Sequence, residues 1–229
     1  MRGRRAVRWA MAAAACLPGL TLAGSIHGRV VLTGAPPQPK KLGVTIDQYL
    51  CGHEKDANDL IVSPHNEIAN AVVWLENAPP GAAWPAGAEK VEVDQRGCVF
   101  IPRVAVVPAG GTVDFLNNDR LLHNLHATPK LNVAFNRTQP KSRTIPITFA
   151  KPEIVHIECD LHSWMTAWVV VAAHPYYAVT KGDGQFAFDK LPAGTYRLKI
   201  WQEKLGTVPA TVTVKESGET PLTVEMPLR

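Results

Sequence analysis

Beyond its first two dozen residues the sequence has no apolar stretch long enough to cross a bilayer, which excludes a helical membrane protein for that part of the chain. It also lacks sustained 3.6-residue periodicity, so long amphipathic helices and helical bundles are excluded. No basic stripe marks a face for nucleic acid. No acid–base pair or nucleophile–base arrangement stands out, so no catalytic residue and no enzyme activity are expected. Cysteine and methionine are scarce. Past residue 24 only Cys51, Cys98, Cys159, Met165 and Met226 remain. In an oxidising compartment an odd number of cysteines leaves one thiol in need of an explanation.

The N-terminus reads as an export leader. Arg2, Arg4, Arg5 and Arg8 precede an apolar run from Trp9 to Leu22, and small residues follow at Ala23 and Gly24. Basic head, short apolar core and small-residue exit make a cleavable secretory signal over 1–24, which predicts a periplasmic protein. The whole chain carries 24 Lys+Arg against 20 Asp+Glu, but the four leader arginines account for the excess. The remaining part has 20 of each sign, so its net charge names no partner.

The rest of the chain is expected to be all-β. Short Val/Ile/Thr/Phe runs are bounded by Gly, Pro, Asn and Asp, and strands are predicted at 28–32, 71–75, 90–93, 112–116, 153–159, 167–171, 185–188, 196–201, 210–214 and 222–226. The segment IDQYLCGHEKDANDL (46–60) has room for one helical turn. The stretch APPGAAWPAGA (78–88) reads as a linker or crossover, and a second boundary falls near His174-Pro175. Gly182-Asp183-Gly184 and Leu191-Pro192-Ala193-Gly194 read as tight turns between strands. The predicted units are 25–87, 88–174 and 175–229.

Chemistry concentrates in NNDRLLHNLH (117–126) and ECDLHSWM (158–165). Cys159, His162 and Met165 stand at C-x2-H-x2-M spacing after a strand, so one tight turn can aim all three at a common point. Thiolate, imidazole and thioether form a soft-to-borderline donor set suited to copper in both oxidation states. A second imidazole must come from the earlier segment. On an extended strand His123 and His126 face opposite ways, so only one can join. His123, following the Asn118-Asp119 turn, is favoured, and His126 is left as a surface or supporting imidazole. His156 and His174 read as ordinary surface residues. Taken singly, a cysteine is most often buried structure and a methionine core packing. Their joint register makes the metal reading the stronger one.

The stretch CVFIPRVAVVPAGGTVDFLNND, the HN pair after it and CDLHSWM resemble a cupredoxin, amicyanin most and plastocyanin next, over about 88–174. That resemblance implies a Greek-key β-sandwich with one type 1 copper held by His123, Cys159 and His162, with Met165 as axial ligand. It gives Asn124 the role of tying the two ligand loops together. Asp160 departs from the pattern, because it sets a carboxylate beside the thiolate. GQFAFDKLPAGTYRLKIWQEKLG (184–206), GRVVLTGAPP and IANAVVWLENAPP resemble a carboxypeptidase regulatory-like module, a small transthyretin-like sandwich. The cupredoxin would then be inserted within that second sandwich, an arrangement similar to proteins labelled methylamine utilisation protein. A bridge between Cys51 and Cys98 is expected on this reading, and a metal site at Cys51 and His53 is the weaker alternative.

The implied function is single-electron carriage between a periplasmic dehydrogenase, of amines by resemblance, and a c-type cytochrome, by a chain that is expected to be monomeric. His162 is expected at the surface, with Leu161, Trp164 and Ala167 forming an apolar docking patch, although Trp164 could equally be core. The competing reading is a structural module with a closed zinc site of His123, His126, Cys159 and His162.

Overall fold

The computed structural model describes residues 23–228, and the leader read at 1–24 lies almost wholly outside the described residues. Strand β1 (Gly24–Thr33) leads through a proline-containing segment to β2 (Lys41–Gly43), the single-turn α1 (Gln48–Cys51), β3 (Glu54–Asp56) and β4 (Val72–Leu75). The middle of the chain forms β5 (Lys90–Gln95), β6 (Phe100–Ile101), β7 (Val104–Pro108), β8 (Thr112–Asn117), β9 (His123–Ala127), β10 (Phe135–Gln139), β11 (Thr144–Thr148), β12 (Ile154–Glu158) and β13 (Thr166–Ala172). The end supplies β14 (Tyr177–Val179), β15 (Gln185–Leu191), β16 (Gly194–Gln202), β17 (Gly206–Val214) and β18 (Glu219–Pro227). The fold is all-β, with helix confined to α1 among the described residues.

The two ends of the chain build one sandwich together. Its sheets run β15-β1-β18 and β14-β4-β16-β17, so each contains one strand from before the central stretch and at least two from after it. β1 pairs antiparallel with β15 and parallel with β18 along its length. The alternating burial of β1 and β16 turns Ile26, Val30, Leu198 and Ile200 into a shared core with Phe186, Phe188 and Met226. Residues 90–172 make the second sandwich, of sheets β10-β9-β12-β13-β7 and β11-β8-β5-β6. Parallel pairing of β7 with β13 and of β5 with β8 excludes a simple meander.

One part of the N-terminal stretch sides with the central sandwich. The hairpin of β2 and β3 encloses α1, and Val44 and Cys51 are buried in the central core with Phe115, Ile157 and Met165. The sandwiches are joined by a third apolar cluster of Val72, Val104 and Val170. Beside it Trp168 meets Trp201 edge-on at 5.0 Å. Arg103 donates two hydrogen bonds to the Glu203 carboxylate, at 2.6 and 2.8 Å, with both side chains largely buried. A charge pair so placed fixes the two units' relative register, because removing either partner strands a buried charge.

Gly28 in β1 shows how tightly the outer sandwich is closed. The Phe186 ring from β15 lies across it, and a Cβ at this position would sit 2.1 Å from a ring carbon. We expect Gly28→Ala to displace the ring and to lower stability by about 1–3 kcal/mol, read as a drop in the denaturant midpoint. An unchanged midpoint would show that the ring swings away freely.

Candidate metal centre

The site forms where β9 meets the loop after β12, at one end of the central sandwich. Full-length pairing with β10 holds β9 on one side, and a single bridge, His126 to Glu158, joins it to β12. After β12 the chain turns tightly on its own backbone. His162 N–H donates to Cys159 O at 3.2 Å, Met165 N–H to His162 O at 2.8 Å, and Cys159 N–H to Met165 O at 3.2 Å. The last of these bonds closes the loop, so three residues spaced three apart are held around one turn.

His123 and His162 are fully buried, and Cys159 and Met165 nearly so. His123 Nδ1 lies 2.9 Å from His162 Nδ1, and Cys159 Sγ lies 3.6 Å from His162 Nδ1. Donor atoms of His123, Cys159 and His162 all fall within 4.8 Å of one another. Behind each ring stands a carboxylate, Asp119 at 3.0 Å from His123 Nε2 and Asp47 at 3.0 Å from His162 Nε2. Each carboxylate accepts a hydrogen bond from Nε2–H and so favours the tautomer that leaves the Nδ1 lone pair facing inward. Two such lone pairs 2.9 Å apart in a dry site repel unless a proton or a cation lies between them.

The protonation equilibria follow from this arrangement. Burial pulls the His123 pKa down, but hydrogen bonds to Asp119 and Cys159 and the charges of both outweigh it and hold it at about 9. Burial lowers His162, aided by the charge of His123 and opposed by Asp47. Burial pushes the Cys159 thiol up, yet His123 and the backbone N–H groups of Asn124, His162 and Leu161 bring it below its ordinary value. Without a metal, His123 is thus held as an imidazolium at neutral pH beside a thiol made more acidic than usual, and a metal would replace the proton between the rings.

Asn124 connects the segment of His123 with the loop of Cys159 and His162. Its backbone N–H points at Cys159 Sγ at 3.5 Å, its side-chain oxygen accepts from Asp160 N–H at 2.6 Å, and its amide donates to the Asp160 carboxylate at 2.9 Å. The Asp160 carboxylate faces outward, accepting from Asn136 at 2.7 Å and pairing with His126 Nδ1 at 2.8 Å. Its charge is thus engaged by His126 rather than left against the sulfur. His126 lies on the far face of β9 and does not reach the His123–Cys159–His162 group, so a four-ligand set that includes it does not assemble.

Several expectations need correction. His162 does not reach the surface: it is 0% exposed, and Asp47 covers its outer nitrogen. Trp164 and Ala167 are buried, and the Trp164 indole donates to Cys98 O at 3.1 Å, so of the expected patch only Leu161 is exposed. The expected bridge is present: Cys51 is bonded to Cys98, which removes the weaker alternative of a metal site at Cys51 and His53. His156 and His174 remain partly exposed, as expected, but they pack on Trp168 and Tyr177 and burial lowers both pKa values. Sequence reasoning missed Asp119 and Asp47. Asp119 could have been found as the acid four residues before His123. Nothing local marks Asp47, whose partner is 115 residues away.

A family model for the polysaccharide lyase family 4, domain II, matches residues 151–222, which takes in β12 and β13 of the central sandwich as well as strands of the outer one. It is this description, and not a carboxypeptidase regulatory-like module, that the comparison returns. No curated protein matches the chain. Solved structures similar to part of it include a copper-containing nitrite reductase from Thermus scotoductus SA-01, at 24% identity over 42% of this chain, with a TM-score of 0.35. The chain spans only 24% of that reductase. A purple cupredoxin from Nitrosopumilus maritimus aligns at 18% identity over 36% of this chain and 99% of its own, TM-score 0.33. An amicyanin from Paracoccus versutus aligns at 21% identity over 44% and 97%, TM-score 0.34.

Asp119 gives a direct test of the site's electrostatics. Burial raises its pKa, but the hydrogen bond from His123 and the N–H groups of Cys98 and Gly97 bring it below the ordinary 3.8. A carboxyl with a depressed folded-state pKa contributes stability that is complete above its unfolded value and is lost as pH falls through the lower folded one. Asp119→Asn is expected to cost the metal-free protein about 1–3 kcal/mol at neutral pH and to flatten the stability loss below about pH 4. An unaltered acid limb in urea titrations would contradict this.

Proposed function

We propose that the chain is an exported copper protein that carries single electrons, with His123, Cys159 and His162 as strong donors and Met165 as the weak fourth. The reading rests above all on one observation: a cysteine sulfur and two imidazole Nδ1 atoms converge in a dry site while carboxylates hold both outer nitrogens. The donor set fits the metal. Nitrogen and sulfur donors about 2.0–2.3 Å from one first-row ion sit roughly 3–4 Å apart, in line with the spacings of 2.9 and 3.6 Å. Two imidazoles, a thiolate and a thioether suit copper better than zinc, and His126 is not placed to complete a tetrahedral set.

Bound there, copper supplies a one-electron couple between its Cu(I) and Cu(II) states. The residues of the chain keep the surroundings constant across that change. The ladder of β9 and β10 fixes His123, the closed loop fixes Cys159, His162 and Met165, and Asn124 fixes the two segments to each other. Burial keeps water out, so few solvent dipoles need to reorient when the charge changes.

The role is carriage rather than catalysis. The partners are redox proteins of the periplasm, a dehydrogenase as donor and a c-type cytochrome as acceptor, met through small and short-lived contacts. The leader at 1–24 supplies the export. Among the described residues no helix is long and apolar enough to cross a membrane.

The test is to add Cu(II) to the protein without its leader and to record visible and EPR spectra for wild type and Cys159→Ser. We expect an intense thiolate-to-copper band in wild type and its loss in the variant, which keeps both imidazoles. A colourless wild type that takes up zinc in preference would contradict the reading.

A further inference from the structure

We propose that Asp47 is a positioning residue for the copper centre, and that the Cys51–Cys98 bridge is what delivers it; the inference rests on the copper reading above. Asp47 belongs to the stretch before the central sandwich, and it crosses to the site only because its segment folds back. The Asp47 carbonyl accepts the N–H groups of Leu50 at 3.0 Å and Cys51 at 2.9 Å, so the turn that carries the carboxylate is closed by the bridge cysteine itself. Val44 N–H donates to His53 O at 2.9 Å across the same turn, and the Gln48 amide donates to Val44 O at 2.6 Å. With Val44 and Cys51 buried in the central core, the segment is seated rather than loosely laid on.

The far end of the bridge is bound into the same site. Cys98 N–H donates at 2.8 Å to Asp119 Oδ2, the oxygen that also holds His123 Nε2. Cys98 O accepts from Trp164, whose ring lies 5.1 Å from that of His162. One covalent link therefore ties the turn that carries Asp47 to the backbone N–H that holds Asp119, and the two carboxylates close on the imidazoles from outside.

Two consequences follow for His162. A carboxylate on Nε2–H makes the imidazole a stronger donor, which favours the more highly charged metal state and lowers the reduction potential. The same carboxylate covers the ring's outer edge. Ile46, Tyr49 and Leu50, at 47, 81 and 39% exposure, stand outside it, so an electron passing by way of His162 crosses this segment.

The experiment compares copper-loaded wild type, Asp47→Asn, Asp47→Ala and the double variant Cys51→Ala/Cys98→Ala, the last also combined with Asp47→Ala, by voltammetry, with the visible band recorded for each. The potential is expected to rise in all three variants, and Asp47→Ala added to the bridge-free protein is expected to raise it little further, because both changes disable one device. In metal-free protein the His162 Nε2 proton is expected as a protected downfield resonance that Asp47→Ala abolishes. A wild type that shows the thiolate band, with unchanged potentials in both Asp47 variants, overturns this proposal alone. A wild type with no thiolate band overturns the copper reading and the proposal with it.

Discussion

Two buried imidazoles face each other nitrogen to nitrogen at 2.9 Å, each backed by a carboxylate, with the Cys159 sulfur beside them. Left neutral and empty, such a pair would set two lone pairs against one another in a medium that screens them poorly. The metal-free chain relieves this with a proton on His123, held by Asp119 and Cys159. Most of the local structure serves to keep this arrangement from relaxing in other ways: the closed loop after β12, the β9–β10 ladder, the Asn124 cross-tie and the disulfide. Buried polar groups of this kind are costly when half satisfied. Here each outer nitrogen has a charged partner, and the inner ones are left for a cation.

The architecture explains how those partners arrive. One sandwich is interrupted by the other, and the interruption begins and ends on neighbouring strands, β4 and β14, which pair with each other. The chain therefore leaves and re-enters the outer sandwich at one place, as tolerated insertions do. The stretch between β1 and β4 is free to reach over the central sandwich, where Cys51 bonds Cys98 and Asp47 meets His162. The Arg103–Glu203 pair and the contact of Trp168 with Trp201 keep the two sandwiches in fixed relation. A residue from one end of the chain can then hold a ring on the other within a hydrogen-bond length.

How much of this was legible in the sequence depended on distance along the chain. Strands with one buried face announced themselves: β8 alternates strictly in burial, and so does most of β1. β10 and β11 did not, because each lies at a sheet edge and keeps most of its residues in contact with solvent. Pro146 sits inside β11 and is tolerated there because an edge strand can spare one donor. The C-x2-H-x2-M motif was readable because its geometry is local; the period of a strand said that only one of His123 and His126 could join it, and the turn at Asn118-Asp119 favoured His123. The burial of His162 and Ala167 was not readable, and that of Trp164 was one of two open readings. What covers His162 comes from more than a hundred residues upstream, through a disulfide and a single turn of helix, and no local pattern encodes it.

The central claim concerns which atoms meet at one ion, and X-ray absorption at the copper edge addresses it without further assumptions. For protein loaded with one copper per chain, the account predicts two nitrogen scatterers at about 2.0 Å and one sulfur at a short distance, about 2.3 Å or less. A first shell of nitrogen and oxygen alone, with no short sulfur, would contradict it.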